Sequence, residues 1–151
     1  MTLKNLMGSG DKIMLLTLPF LIVGLALNIA FPSFFAVGGP PAAVAAMSVI
    51  LLVPGIVVWL WSVVLILTEI PKKKLITGGP YALVKHPLYT SVGLLVLPCT
   101  GILLNSWLGV AVGIVLYTGS RLFSHEEEEK LAKEYGAAWD AYVRKVKMPW
   151  L

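Results

Sequence analysis

Residues 45–67 read Ala-Ala-Met-Ser-Val-Ile-Leu-Leu-Val-Pro-Gly-Ile-Val-Val-Trp-Leu-Trp-Ser-Val-Val-Leu-Ile-Leu, an apolar run without a single charged side chain. A helix of this length crosses the hydrocarbon core of a bilayer, which takes about 20 residues. Three further apolar stretches flank it, from Ile13 to Phe35, from Leu88 to Leu104 and from Trp107 to Phe123. With a hydrophobic fraction of 58% and a charged fraction of 13%, the sequence predicts an all-α integral membrane protein in one domain. About four transmembrane helices are expected, near 13–35, 45–67, 88–104 and 107–123. A C-terminal amphipathic cytoplasmic helix should follow near 125–146, and the connections are too short for a soluble domain. The first run exceeds the roughly 7–15 residues of a signal-peptide core and is expected to stay as a span.

Charge placement predicts the topology. Every Lys, Arg, Asp and Glu lies in the N-terminal arm, between Glu69 and Lys85, or from Arg121 onward; the connections 36–44 and 105–106 carry none. Four spans put the three charged segments on one side. The positive-inside rule makes that side cytoplasmic through Lys4, Lys12, Lys72, Lys73, Lys74 and Lys85, which predicts a protein of the cytoplasmic (inner) membrane with both termini in the cytoplasm. The net charge of +4 and pI near 9.3 then read as orientation and attraction to lipid headgroups. Nucleic acid is not expected as a partner, because no array of basic and aromatic residues of the single-strand-binding kind is present. The only cysteine, Cys99, falls inside the third run as a small packing residue, so no intramolecular disulfide forms. Gly38-Gly39-Pro40-Pro41 reads as a tight external turn. Pro19, Pro32, Pro54 and Pro98 sit in or at the ends of spans, where neighbouring helices satisfy the freed carbonyls. Asn28 in the first span is expected to donate an interhelical hydrogen bond.

Between the second and third runs lies Gly79-Pro80-Tyr81-Ala82-Leu83-Val84-Lys85-His86-Pro87-Leu88-Tyr89-Thr90. Two tyrosines, a cation and a histidine at the mouth of a span are costly there unless they line a polar site. After the fourth run, Leu131, Tyr135, Ala138, Trp139, Tyr142 and Val146 recur at helical spacing and make one stripe. Extended backwards, that helix puts Glu127 and Glu128 on or beside the stripe and turns Glu126 and Glu129 away. With an unbroken helix, Arg121 lies two turns before Glu128 on the same side. The glutamate run reads equally as a solvated helix start favoured by the helix dipole. His86 reads also as an interfacial cap. No second histidine or cysteine stands at ligand spacing, so no metal site is expected. His125 falls beside the stripe and is expected to face solvent.

The pair of patterns G-P-Y-x-x-V-K-H-P-x-Y and E-E-x-x-L-x-x-x-Y-G-x-x-W-x-x-Y, from Gly79 to Tyr142, resembles the integral-membrane methyltransferases of the isoprenylcysteine carboxyl methyltransferase and phospholipid methyltransferase type. His86, Pro87 and Tyr89 match the H-P-x-Y motif, Tyr81 the G-x-Y turn, and Glu127, Glu128, Leu131 and Gly136 the acidic block. Three positions depart from the pattern. Lys85 stands where arginine is usual and loses a bidentate fork; Ser91 replaces a common glycine; the tail 146–149 lacks the frequent V-P-R.

The resemblance implies binding of S-adenosylmethionine from the cytosol and methylation of a lipophilic small-molecule or lipidated acceptor. On that reading Glu127 or Glu128 holds the cofactor ammonium or ribose, and Lys85 with Arg121 takes its carboxylate. Tyr81, His86, Pro87 and Tyr89 complete the cofactor-binding set. Lys85 and His86 are the catalytic candidates, His86 as base for an amine or thiol acceptor. Isoprenylcysteine, phospholipid headgroup, quinone precursor and small thiol all stay open as acceptor, and so does the oligomeric state. Two other readings stand beside this one: a membrane NAD(P)H-dependent reductase of the sterol-reductase-like type, and a non-catalytic membrane subunit on the same scaffold. No G-x-G-x-x-G after a strand supports the reductase.

Overall fold

Inside hydrocarbon every backbone N–H and C=O must be paired within the chain, and for apolar runs of this length the α-helix achieves that. The structure, a computed structural model, describes residues 3–148, with side chains from Gly10 onward; the side chain of Lys4, and Pro149, lie outside the described residues. Five helices carry the architecture: α1 (Leu3–Ala30), α2 (Ala42–Glu69), α3 (Pro87–Leu103), α4 (Leu108–Tyr135) and α5 (Ala137–Lys145). Among the described residues there is no strand, only an isolated parallel bridge between Val84 and Met148. Among the described residues two segments are long and apolar enough to cross a membrane, Gly10–Ala30 and Ala42–Lys72. α3 is shorter, and α4 is apolar at its start but charged beyond Arg121. The chain is an all-helical integral membrane protein.

Several predicted boundaries move, each for a local reason. The first apolar run does not stay one helix to Phe35. α1 ends at Ala30 and Phe31 turns to φ −132°, because a residue before proline is pushed out of the helical region; Pro32–Phe35 then forms a separate turn. The fourth run and the C-terminal helix, predicted as separate elements near 107–123 and 125–146, are instead continuous as α4. Glu and Lys are good helix formers, so nothing breaks the helix at Ser124. The break comes at Gly136, whose φ of +49° suits a residue without Cβ, and α5 starts behind it. α3 contains a π-helical segment, Val92–Val96, in which the Leu97 N–H reaches the Val92 carbonyl five residues back. Pro98 follows and has no N–H to give to Leu94, so the wider turn sits where the regular ladder is already interrupted.

The helices pack in the order α1, α4, α3, α2. The α3–α4 hairpin is drawn together by glycines. A Cβ on Gly109 would lie 2.1 Å from the Leu97 carbonyl oxygen, and one on Gly113 would lie 2.3 Å from that of Gly93. Gly101 faces Gly109 in the same way, with a Cβ there 2.7 Å from the Gly109 Cα. Small residues let helix backbones approach where no hydrophobic effect drives association. At the far end of the bundle Trp107 stacks on Phe35 at 4.8 Å and donates from Nε1 to the Phe34 carbonyl. Asn105 Oδ1 there accepts from the Gly39 N–H at 2.8 Å, tying the two uncharged loops together. Asn28 acts as an acceptor, taking the Ser106 hydroxyl at 2.7 Å, and not as the donor expected, because the Ser106 oxygen already accepts from the Leu108 N–H and gives its own proton to Asn28.

A methyl group at the hairpin seam tests this arrangement. Gly109→Ala should lower stability by about 1–3 kcal/mol, whereas Gly78→Ala, which meets nothing within 4 Å, should stay within about 0.5 kcal/mol. Thermal unfolding of both variants in detergent reads the difference, and equal midpoints would refute the seam.

A polar-mouthed cavity as candidate active site

The loop after α2 begins with a turn at Ile70–Lys72 that Lys73 closes in the left-handed region, φ +54°. A second turn, Gly79–Ala82, starts at Gly79 with φ +60°, where the Trp61 ring lies so close that a Cβ would meet it at 3.0 Å. These turns present Tyr81, then Lys85 and His86. His86 caps α3 with Pro87 in its first position, the place where proline's missing N–H costs nothing, and Pro87 is fully buried. Tyr89 follows within the same turn.

The extension of α4 runs alongside. Glu128 meets Lys85 Nζ with both carboxylate oxygens, at 2.6 and 2.7 Å, and His86 Nε2 shares Oε1 at 3.2 Å. A carboxylate only accepts, so His86 carries its proton on Nε2 in this contact. Burial pushes the Glu128 carboxyl up, but the hydrogen bonds from His86 and Lys85 and the Lys85 charge outweigh it and hold the pKa at about 2. Its three neighbours diverge. Glu127 faces the cavity described below, Glu126 pairs with Lys12 at 2.6 Å in the open, and Glu129 pairs with His125 at 3.2 Å on the outer face.

α5 folds back over this face. Trp139, Tyr142 and Val146 form a buried cluster against Leu75, Leu131 and Tyr135. Tyr142 donates its hydroxyl to the Tyr81 carbonyl at 2.9 Å, and the Met148 N–H reaches the Leu83 carbonyl at 2.8 Å, which fastens the tail to the loop. Burial, and after it the Glu127 charge, pushes the Tyr81 phenol up; burial and then Glu128 do the same to Tyr142. Both phenols stay neutral hydrogen-bonding groups.

Between α1 and α2, in front of the α3–α4 hairpin, lies a cavity of about 580 Å³. Its mouth carries Asp11, Lys74, Tyr81, Lys85, His86, Tyr89 and Glu127, with Tyr135, Trp139 and Tyr142 around it. Its depth is apolar, walled by Leu21, Trp59, Leu97 and Val112, and Leu21 and Leu97 pack there on the buried Phe35, Leu108 and Val112 cluster.

Tyr81, Lys85, His86, Tyr89 and Glu127 are thus brought to one cavity, while Glu128 stands behind it, held by Lys85 and His86. Arg121 is exposed on α4 and is not on the cavity wall, so it does not share the Glu128 site although it lies on the same helix. Asp11 and Lys74 at the mouth, and Thr17 on its wall, did not stand out in the sequence. Lys74 was legible there as a topology charge, and Trp139 and Tyr142 as members of the stripe. Among the described residues no group of His, Cys, Asp and Glu side chains is disposed to hold a metal ion.

The Glu128 contacts make a pH prediction. A carboxyl held below its ordinary 4.5 contributes stability that is fully present above that value and is lost as pH falls from about 4.5 to about 2. Glu128→Gln should cost about 2 kcal/mol at pH 7 and flatten the acid limb of the stability profile. Glu126→Gln, which removes an exposed pair, should leave both essentially unchanged. Thermal midpoints from pH 2 to 7 measure this, and parallel profiles for wild type and Glu128→Gln would exclude it.

The comparisons with curated proteins and with solved structures each gave no match. The model of the isoprenylcysteine carboxyl methyltransferase (ICMT) family matches residues 43–133, which include the loop, the H-P-x-Y turn and the acidic run of α4. That segment is more than half of the chain, and the protein therefore belongs to the ICMT family of membrane methyltransferases.

Proposed function

We propose that the protein binds S-adenosylmethionine at the polar mouth of the cavity and methylates a lipophilic acceptor whose apolar part lies in its depth. The observation that carries this reading is the convergence of both sequence motifs, with carboxylate, cation and aromatic groups, at one end of an otherwise apolar cavity. The donor set suits the cofactor, which supplies its methyl group from a sulfonium. Glu127 would take the ammonium or the ribose hydroxyls, and Tyr81 and Tyr89 would supply neutral edges. Lys85 is committed to Glu128, so Lys74 is the cation better placed for the carboxylate. His86, with Nε2–H engaged by Glu128, keeps Nδ1 as a proton acceptor for an amine or thiol, on the logic by which a carboxylate fixes the tautomer of a catalytic imidazole. A carboxylate acceptor would need no base, and positioning with exclusion of water would supply most of the acceleration. The acceptor class on this reading is isoprenylcysteine-carboxylate-like or phospholipid-like. We read α1 to α4 as four spans with both termini cytoplasmic, since the charged ends gather at the cavity mouth and the uncharged loops meet at the other end of the bundle.

Calorimetry on the purified protein is the deciding measurement. S-adenosylhomocysteine should bind and raise the thermal midpoint by linkage, and NADPH should do neither. Glu127→Gln should weaken S-adenosylhomocysteine at least ten-fold, about 1.4 kcal/mol, and Glu126→Gln should not. Binding of NADPH alone would move the assignment to a reductase, and binding of neither would favour a non-catalytic subunit.

The topology has its own test, in a Cys99→Ala background. Val37→Cys, on the exposed external turn, should react with an impermeant maleimide on intact cells, and Lys72→Cys only after permeabilisation. External labelling of Lys72→Cys would invert or break the four-span arrangement.

A further inference from the structure

Five helical hydroxyls in this chain bond back to their own helix. Ser62 donates to the Val58 carbonyl at 2.7 Å, Thr68 to Val64 at 2.8 Å, Ser91 to Leu88 at 3.0 Å, Ser120 to Tyr117 at 2.7 Å and Ser124 to Arg121 at 3.2 Å. Bonding back to a carbonyl three or four residues earlier is the ordinary solution for a hydroxyl in an apolar helix. Thr17 departs from it. The residue is 8% exposed and lines the cavity, yet its Oγ1 is buried and makes no hydrogen bond; among the described residues it is the one buried side-chain polar atom left so. Leaving a hydroxyl unmet in apolar surroundings is costly, and a simple turn onto its own helix would relieve it. A partner arriving in the cavity would relieve it once the hydroxyl has turned to face that space. Threonine in helices divides between two rotamers that exchange hydroxyl and methyl, so the hydroxyl can turn to meet a ligand atom.

The neighbours define that atom. Ile13, Met14, Leu18 and Leu21, one turn to either side on α1, are apolar and line the same cavity. Asp11 marks the mouth, and six helical residues put Thr17 about 9 Å deeper. A ligand oxygen at Thr17 therefore belongs to the apolar portion of an amphiphile and not to its headgroup. Resting on the reading that the cavity takes a lipophilic acceptor, we propose that Thr17 is a specificity-determining residue. Its hydroxyl donates to a carbonyl oxygen set within the hydrocarbon part of the acceptor, about 9 Å from the polar mouth. The substrate class is then acyl-type, carrying an ester, amide or ketone, in preference to a plain hydrocarbon or prenyl chain.

The test uses two single-chain probes that differ in one carbonyl set about 9 Å down the chain, 1-O-(7-oxododecyl)glycerol and 1-O-dodecylglycerol, titrated into the full chain in detergent. Tryptophan fluorescence provides the readout, since Trp59 and Trp139 line the cavity. Wild type should prefer the ketone about ten-fold, or about 1.4 kcal/mol. Thr17→Val, which keeps the shape, should bind both alike, and Thr17→Ser should restore the preference. S-adenosylhomocysteine affinity should be the same in wild type and Thr17→Val. Its absence in both would strike the methyltransferase reading while leaving the probe comparison intact. Equal binding of the probes by wild type, or a preference that survives in Thr17→Val, would overturn the proposal. So would a lower thermal midpoint of Thr17→Val without probe, since that would make the hydroxyl structural.

Discussion

The close approach of α3 and α4 is the constraint on which the rest of the molecule depends. Where a Cβ on Gly109 or Gly113 would collide with a backbone carbonyl of the facing helix, no other residue fits without moving the backbone itself. In lipid the gain from such a seam is dispersion and polar contact at short range, since apolar side chains gain little by leaving hydrocarbon for one another. The hairpin thereby sets the register in which the first turn of α3, with His86 and Tyr89, lies beside Glu127 and Glu128 far along α4. The π-helical turn and Pro98 lie on the same seam, where a Cβ on Gly113 would meet the Pro98 ring at 3.1 Å. α1 and α2 are then added to opposite sides of a fixed pair, and the space they leave between them is the cavity.

Within that frame the Lys85–Glu128–His86 cluster acts as a fastener. A half-buried carboxylate loses water, and alone would be driven toward its protonated form; two donors and one full charge reverse the balance. Lysine serves here where a fork would be expected, because its ammonium reaches both carboxylate oxygens as a point charge. Consecutive residues on a helix point about 100° apart. Fixing Glu128 against the loop therefore turns Glu127 toward the cavity and leaves Glu126 and Glu129 outside, where their pairs with Lys12 and His125 are exposed. α5 completes the enclosure from the tail, and Gly136 makes its reversal possible.

What the sequence disclosed and what it hid divide along the range of the forces involved. Helices and apolar runs are local properties, and so were legible; of the stripe Leu131, Tyr135, Ala138, Trp139, Tyr142 and Val146, all but Ala138, which is exposed, lie in or against the buried cluster. The distinction between Glu127 and Glu128 on one side and Glu126 and Glu129 on the other also follows from helix period alone. Arg121 shows where that reasoning stops. Helix period placed it near Glu128, but the decision belonged to Lys85 and His86, residues more than forty positions away. The donor role expected of Asn28 failed similarly, since its partner is a hydroxyl at the far end of the α3–α4 turn. Asp11 and Lys74 carry no motif, and only the folding of two separate segments onto one opening gives them a site to face.

The cavity joins two parts of the chain with different standing. Its mouth is built mainly by residues 81–89 and by α4, inside the segment that matches the ICMT family, while one whole wall comes from α1, which lies before that segment. A methyl donor is the same molecule for every acceptor, so groups that serve it are tied to the shared motifs. On the proposed function the α1 wall would meet the acceptor and would be under a different demand, to fit the shape and polar pattern of one lipid. Thr17 lies on that wall, and its unmet hydroxyl is the kind of local defect that a structure retains when a ligand supplies the missing partner. Chemistry and selectivity would then be separable along the depth of the cavity, with the reacting atoms near the headgroup level and the discriminating contact about two helical turns below.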